Sequence, residues 1–98
     1  MGWATPYIED LKHGREISFR PRGNSMAGLI KSGQLCKVAP LTVFSCLSKG
    51  DIVLCKVKGR HYLHKITAVK GDRFQIGNNR GGINGWITRS SIYGKYIK

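Results

Sequence analysis

The stretch Gly50-Asp51-Ile52-Val53-Leu54-Cys55-Lys56-Val57-Lys58-Gly59-Arg60-His61-Tyr62-Leu63-His64-Lys65-Ile66-Thr67-Ala68-Val69 decides the fold class. Asp51 to Val57 is a short apolar run rich in β-branched residues, and Tyr62 to Val69 is a second, with the turn signal Lys58-Gly59-Arg60 between them. Two such runs a tight turn apart read as paired strands. In the second strand Tyr62, His64, Ile66 and Ala68 share one face, while Leu63, Lys65, Thr67 and Val69 share the other. His64 therefore lies among apolar neighbours.

The same pattern extends in both directions. Further short β-rich runs are Ile17 to Arg20, Gln34 to Val38, Arg73 to Ile76 and Ser91 to Ile97, separated by Gly, Pro, Asn and Asp, as at Lys31-Ser32-Gly33, Lys49-Gly50-Asp51 and Lys70-Gly71-Asp72. Ahead of them is one helix candidate, residues 5–13. Thr5 serves as N-cap, Pro6 takes the first helical position, Glu9 and Asp10 suit the N-terminal half, and Gly14 follows Lys12 and His13 as a stop. Ser25 to Ile30 interrupts the β pattern with one short helical turn. The chain has 98 residues, 41% of them hydrophobic, which sets one modest core and a single domain over 1–98. The expected fold is mainly β: a compact coiled sheet or partly open barrel over 16–98 with a short N-terminal helix.

Charge narrows the partners. Lys and Arg number 17 against 5 Asp and Glu, a formal net charge of +12, which favours polyanions or acidic proteins. No apolar run approaches the roughly 18 residues of a membrane span, and the N-terminus has neither a secretory signal pattern nor, with Pro6 in place of Ser or Thr, a myristoylation motif. A cytoplasmic protein with no integral membrane association is the default. Cys36, Cys46 and Cys55 are odd in number and lack Cys-x-x-Cys spacing, so they read as reduced thiols. His61 and His64, three apart on a strand, point to opposite faces and do not read as a metal pair. No metal or cofactor is expected.

The segment Phe19-Arg20-Pro21-Arg22-Gly23-Asn24-Ser25-Met26 carries the chemistry. A serine after a glycine-containing bend, leading into a short turn, presents its hydroxyl beside backbone N–H groups left free at the turn's start. Alone, such a serine is ordinarily a helix cap, and a histidine on an apolar strand face is ordinarily a packed core residue. Together, Ser25 and His64 become a candidate nucleophile and general base. The Gly77-to-Gly85 segment matches no phosphate-binding fingerprint and reads as a wide turn that brings Asn78, Asn79 or Asn84 near the site.

The ordered set of Gly-Asn-Ser-Met at 23–26, Gly-Asp-Ile-Val at 50–53, the paired strand holding His64, Gly-Asn-Asn at 77–79 and Ile-Tyr-Gly-Lys at 92–95 resembles the signal peptidase and SOS-repressor autoprotease (LexA-like) superfamily. The resemblance covers Phe19 to Ile97. It implies a coiled all-β fold in which a serine on one segment is activated by a base on a hairpin strand. In that comparison His64 takes the base position and Lys65 the place of the following Arg, which is similar to the Ser-His signal peptidases. A register slip by one residue makes Lys65 the base instead and turns it to the face that His64 occupies. The oxyanion donors implied are the N–H groups of Asn24 and Ser25.

Departures from the superfamily pattern are informative. Its Ser-His branch has an Asp downstream of the Asn-Asn loop, but residues 78–86 hold no carboxylate, and beyond Glu16 the only acids are Asp51 and Asp72, both in Gly-Asp turns. A Ser-His-Asp triad is not expected, and Asn84, beside the expected Asp position, is the candidate orienter. Gly28 stands where the pattern has Pro, and Gln34 where it has Asp. No helix-turn-helix pattern and no Ala-Gly cleavage pair precede Ser25, so an isolated catalytic-type domain is expected without anchor, lid or DNA-reading part. Two functions stay open. One is a small serine peptidase acting on a peptide or protein. The other is a catalytically inactive regulatory module of phage or mobile-element kind, whose cations, notably Arg20, Arg22, Lys56, Lys58 and Arg60, hold nucleic acid or an acidic protein.

Overall fold

In the computed structural model, which describes residues 2–97, the hairpin quoted above is the middle of a single antiparallel sheet. The elements in chain order are helix α1 (Thr5–Lys12), β1 (Ile17–Phe19), β2 (Cys36–Pro40), β3 (Ile52–Val57), β4 (Arg60–Lys70), β5 (Arg73–Gly77), β6 (Ile83–Thr88), a 3₁₀ turn (Arg89–Ser91) and β7 (Ile92–Ile97). The seven strands lie in the order β1-β2-β7-β3-β4-β5-β6, and the two ends of the sheet are not joined. The mainly β, partly open architecture with one short helix matches the expectation from sequence.

The β3–β4 hairpin closes with Val57 opposite Arg60, so Lys58 and Gly59 form a two-residue turn, and both have positive φ, 50° and 82°. That is the type I′ pattern, whose twist matches the strands it joins. β3 is buried on both faces at every residue but the exposed Lys56, as the apolar run over residues 52–55 requires. Ile52 and Leu54 pack with Leu63 beneath α1, β1 and β2, while Val53, Cys55 and Val57 pack with Ile66, Phe74, Ile76 and Ile87 on the other side. Gly94 of β7 sits where α1 crosses the sheet; a side chain there would stand 2.6 Å from Val38 Cγ1 and 2.7 Å from the Ala39 carbonyl. Only glycine lets these layers approach so closely.

Three bulges coil the sheet. The register shifts between Leu54 and Cys55 on β3, between Ile66 and Ala68 on β4, and between Ile76 and Gly77 on β5. Each inserts one residue and adds local twist, and β6 consequently swings back toward β3, with Gly85 beside Val57. The bulge at Thr67 also breaks the alternation expected along β4, which holds only as far as Ile66.

Two expectations need correction. The helix is capped at Ala4 and not at Thr5, no side chain makes the cap bond, and it ends at Lys12 with His13 as C-cap. Ala4 is fully buried, so core packing fixes the turn one residue earlier than polar capping would. The second concerns the segment read as a wide turn up to Gly85. It is a tight loop over residues 78–82, in which Asn78 Oδ1 accepts the N–H groups of Arg80 and Gly82 at 2.8 and 2.9 Å, followed by strand β6, which the runs read from sequence did not include. Among the described residues no helix is long and apolar enough to cross a membrane.

Candidate active site

Ser25 arrives on the long loop between β1 and β2. The arms of this loop are tied by Gly33 N–H to the Pro21 carbonyl at 2.7 Å and Gly23 N–H to Ser32 Oγ at 3.0 Å. Its tip winds into a turn in which Ala27 N–H reaches the Asn24 carbonyl at 3.1 Å and Ile30 N–H the Met26 carbonyl at 2.8 Å. Gly28 lies in that turn at φ +95°, which proline, fixed near −65°, cannot adopt. The missing proline thus has a backbone cause. Gln34, in place of the expected Asp, donates to Tyr96 Oη at 3.1 Å and accepts Lys31 N–H at 3.1 Å, so it braces the loop.

His64 stands on β4 opposite Val53, with 7% of its surface exposed and its ring stacked on Tyr62 at 4.7 Å between centroids. Ser25 Oγ lies 3.2 Å from His64 Nε2, and Asn84 Oδ1 lies 2.7 Å from His64 Nδ1. Asn84 is the extra residue of the β5–β6 bulge, since Ile76 pairs with Gly85 and Gly77 with Ile83. An unpaired bulge residue is free of the strand's alternation, which is how this side chain turns onto His64. An amide oxygen accepts and does not donate, so in this arrangement His64 carries its proton on Nδ1 and offers a bare Nε2 to the serine hydroxyl. Burial pushes the His64 pKa below its ordinary value, and the Asn84 hydrogen bond opposes this more weakly. The imidazole is therefore neutral at neutral pH.

Lys65 goes elsewhere. Its Nζ donates to Asn79 Oδ1 at 2.8 Å, while Asn79 N–H reaches the Ser25 carbonyl at 2.7 Å and Asn79 Nδ2 the Ala27 carbonyl at 2.6 Å. Asn79 thus clasps the serine turn to the β5–β6 loop, a role the sequence reading placed only generally on the Asn-rich segment. Among the described residues the N–H groups of Asn24 and Ser25 donate to no protein acceptor. Asp51 is engaged by Ser48 N–H at 2.9 Å and Lys95 Nζ at 3.3 Å, which leaves His64 with the amide alone as its Nδ1 partner.

A cleft of about 670 Å³ opens beside Ser25 and His64. Arg20 and Arg22 line it together with Lys31, whereas Lys56, Lys58 and Arg60 sit exposed at the tip of the β3–β4 hairpin and do not. The two groups of cations named from sequence are thus separate surfaces. His61 also lines the cleft, with its ring near Tyr93 at 6.2 Å and its pKa lowered by burial and by Lys56. Among the described residues no three His, Cys, Asp or Glu side chains are grouped to hold a metal. Cys36 and Cys55 are buried free thiols, the latter with its pKa pushed up to about 12 by burial, and Cys46 is exposed and free. No protein-family model matches the chain, and no curated protein matches it either.

Proposed function

We propose that this chain is a serine peptidase-like domain that hydrolyses a peptide bond through an acyl-enzyme, in the manner of the Ser-His branch of the signal peptidase and LexA-like superfamily. The observation that carries the reading is the continuous chain from Ser25 Oγ to His64 Nε2 at 3.2 Å and from His64 Nδ1 to Asn84 Oδ1 at 2.7 Å. Ser25 Oγ attacks the carbonyl carbon as His64 Nε2 takes its proton. The oxyanion is received by the N–H groups of Asn24 and Ser25, each such donor contributing about 3 kcal/mol in comparable sites. His64 then gives the proton to the departing amine, and water, deprotonated by the same nitrogen, releases the acyl group from Ser25.

A second reading is favoured by one feature, the amide in place of the third carboxylate. Asn84 Oδ1 accepts from His64 Nδ1 but brings no charge to stabilise the imidazolium; in the serine-protease template the change from Asp to Asn lowers turnover by roughly 10⁴, there through the wrong tautomer. On that reading the domain binds a peptide or anionic partner without cleaving it. An activated ester separates the two. The peptidase reading expects a burst of alcohol release of about one per chain, absent in Ser25→Ala and His64→Ala. The same slow, burst-free release from all three proteins contradicts it.

A further inference from the structure

We propose that the cleft accepts an extended peptide with an apolar side chain beside Ser25 and Asp or Glu at flanking positions. This rests on the reading of Ser25 and His64 as the place where the peptide carbonyl lies.

The floor of the cleft is apolar and rigid. Phe19, Met26, Ile30 and Leu63 line it at 9%, 5%, 4% and 6% exposure, and all four belong to the core cluster beneath α1. A side chain entering there removes apolar surface from water against walls already fixed by packing, so little ordering cost is added on binding.

The rim has one sign of charge. Arg20, Arg22 and Lys31 line the cleft and are exposed, and among the described residues no Asp or Glu lines it. These cations ride on the tied arms of one loop, and Arg20 Nη1 is itself held by the Gly33 carbonyl at 3.0 Å. A cleft lined by one sign over an apolar wall focuses its field on whatever enters, and fixed cations select carboxylates at matching positions. The two histidines of the cleft are held toward their neutral forms, so near neutral pH the positive charge of the cleft comes from Arg20, Arg22 and Lys31.

A nucleic-acid strand shares the anionic chemistry, but of the aromatic residues lining the cleft only Trp3 is exposed, at 49%, and a run of stacked bases needs successive open rings. Trp3 and Tyr7 pack against Phe19 at 5.4 and 5.1 Å, and Tyr62 is stacked on His64. Base recognition needs free ring faces, whereas an aliphatic side chain needs only the floor described.

The test uses Ser25→Ala, which cannot turn over substrate, and fluorescent octapeptides carrying a central Leu-Ala flanked by Asp and Glu, by Asn and Gln, or by Lys. Anisotropy at low salt is expected to show the acidic peptide binding at least about tenfold tighter than the amide peptide, with the advantage shrinking as salt rises. Adding Arg20→Gln, Arg22→Gln and Lys31→Gln together removes the advantage. Removing three cations outside the cleft, by Lys49→Gln, Lys70→Gln and Arg73→Gln, leaves it within about twofold. Arg22→Gln alone gives an intermediate loss should the cleft triple variant fail to fold. Equal affinity for acidic and amide peptides overturns the inference, as does an equal loss in both triple variants, or an oligothymidylate of the same charge binding tighter than the acidic peptide. The ester burst reports separately on Ser25. A burst without acidic preference removes this inference alone, a preference without a burst removes only the peptidase reading, and absence of both removes both.

Discussion

Asn84 Oδ1 stands 2.7 Å from His64 Nδ1, and Asn84 is the residue that the β5–β6 bulge leaves without a strand partner. The bulge and the hydrogen bond belong together: in regular pairing Asn84 would face Gly77 and follow the alternation of its strand. The coil of the sheet therefore does two things at once, bringing β6 back toward β3 and aiming one amide at the imidazole.

Asn84→Asp puts a carboxylate where the amide is. The folded-state pKa of His64 is expected to rise, because a negative charge at hydrogen-bond distance favours the imidazolium, and acylation of Ser25 is expected to speed up by about 10² or more. Histidine NMR titration and the ester burst rate check the two effects. A raised pKa with no change in rate would mean that His64 is not the base.

Lys65→Met distinguishes the two bases considered from sequence. With Lys65 Nζ on Asn79 and not on Ser25, the variant keeps its burst rate within about threefold, while His64→Ala loses at least about 10². Loss of the burst in Lys65→Met together with its retention in His64→Ala would reverse the assignment.

The fold was largely legible and the site partly so. Ser25 and His64 could be named because each carries a local signal, a bend before a polar residue and an imidazole among alternating apolar side chains. β6 could not, because it is an edge strand in which only Ile87 is buried and Gly85 interrupts the middle. Asn84 was reached through its nearness to an expected Asp; the bulge that aims it depends on pairing between strands and leaves no mark in the sequence. Asn79 has the same history, since its three partners lie 14 to 54 residues away along the chain.

Asn79→Ala removes the side-chain bonds to Lys65 and Ala27 while keeping the N–H that reaches Ser25. The expected cost is about 0.5–1.5 kcal/mol of stability for each bond lost, since the Ala27 carbonyl and the Lys65 ammonium can turn to water, with a slower burst because the serine turn loosens. Urea unfolding and burst kinetics on the same samples check this. An unchanged midpoint would show that the clasp contributes nothing.

Acid should weaken the fold before the carboxylates titrate. The His64 and His61 pKa values are lowered from 6.5 in the folded chain, first by burial. The unfolded chain then takes up protons before the folded one as pH falls. Their contribution to stability is full above the unfolded value of 6.5 and is lost as pH drops through it toward the folded values. The urea midpoint is expected to fall between about pH 7.5 and about pH 5.5, and less so in His64→Gln. A midpoint that stays level or rises over that interval runs against the burial of His64.

The most direct measurement is reaction of the intact protein with a fluorophosphonate near neutral pH, followed by peptide mapping. The account predicts a single adduct on Ser25, formed at a rate that rises with pH through the lowered pKa of His64 and then levels, and lost in His64→Ala. No adduct at Ser25 from about pH 6 to about pH 10, or an adduct formed equally fast in His64→Ala, would contradict it.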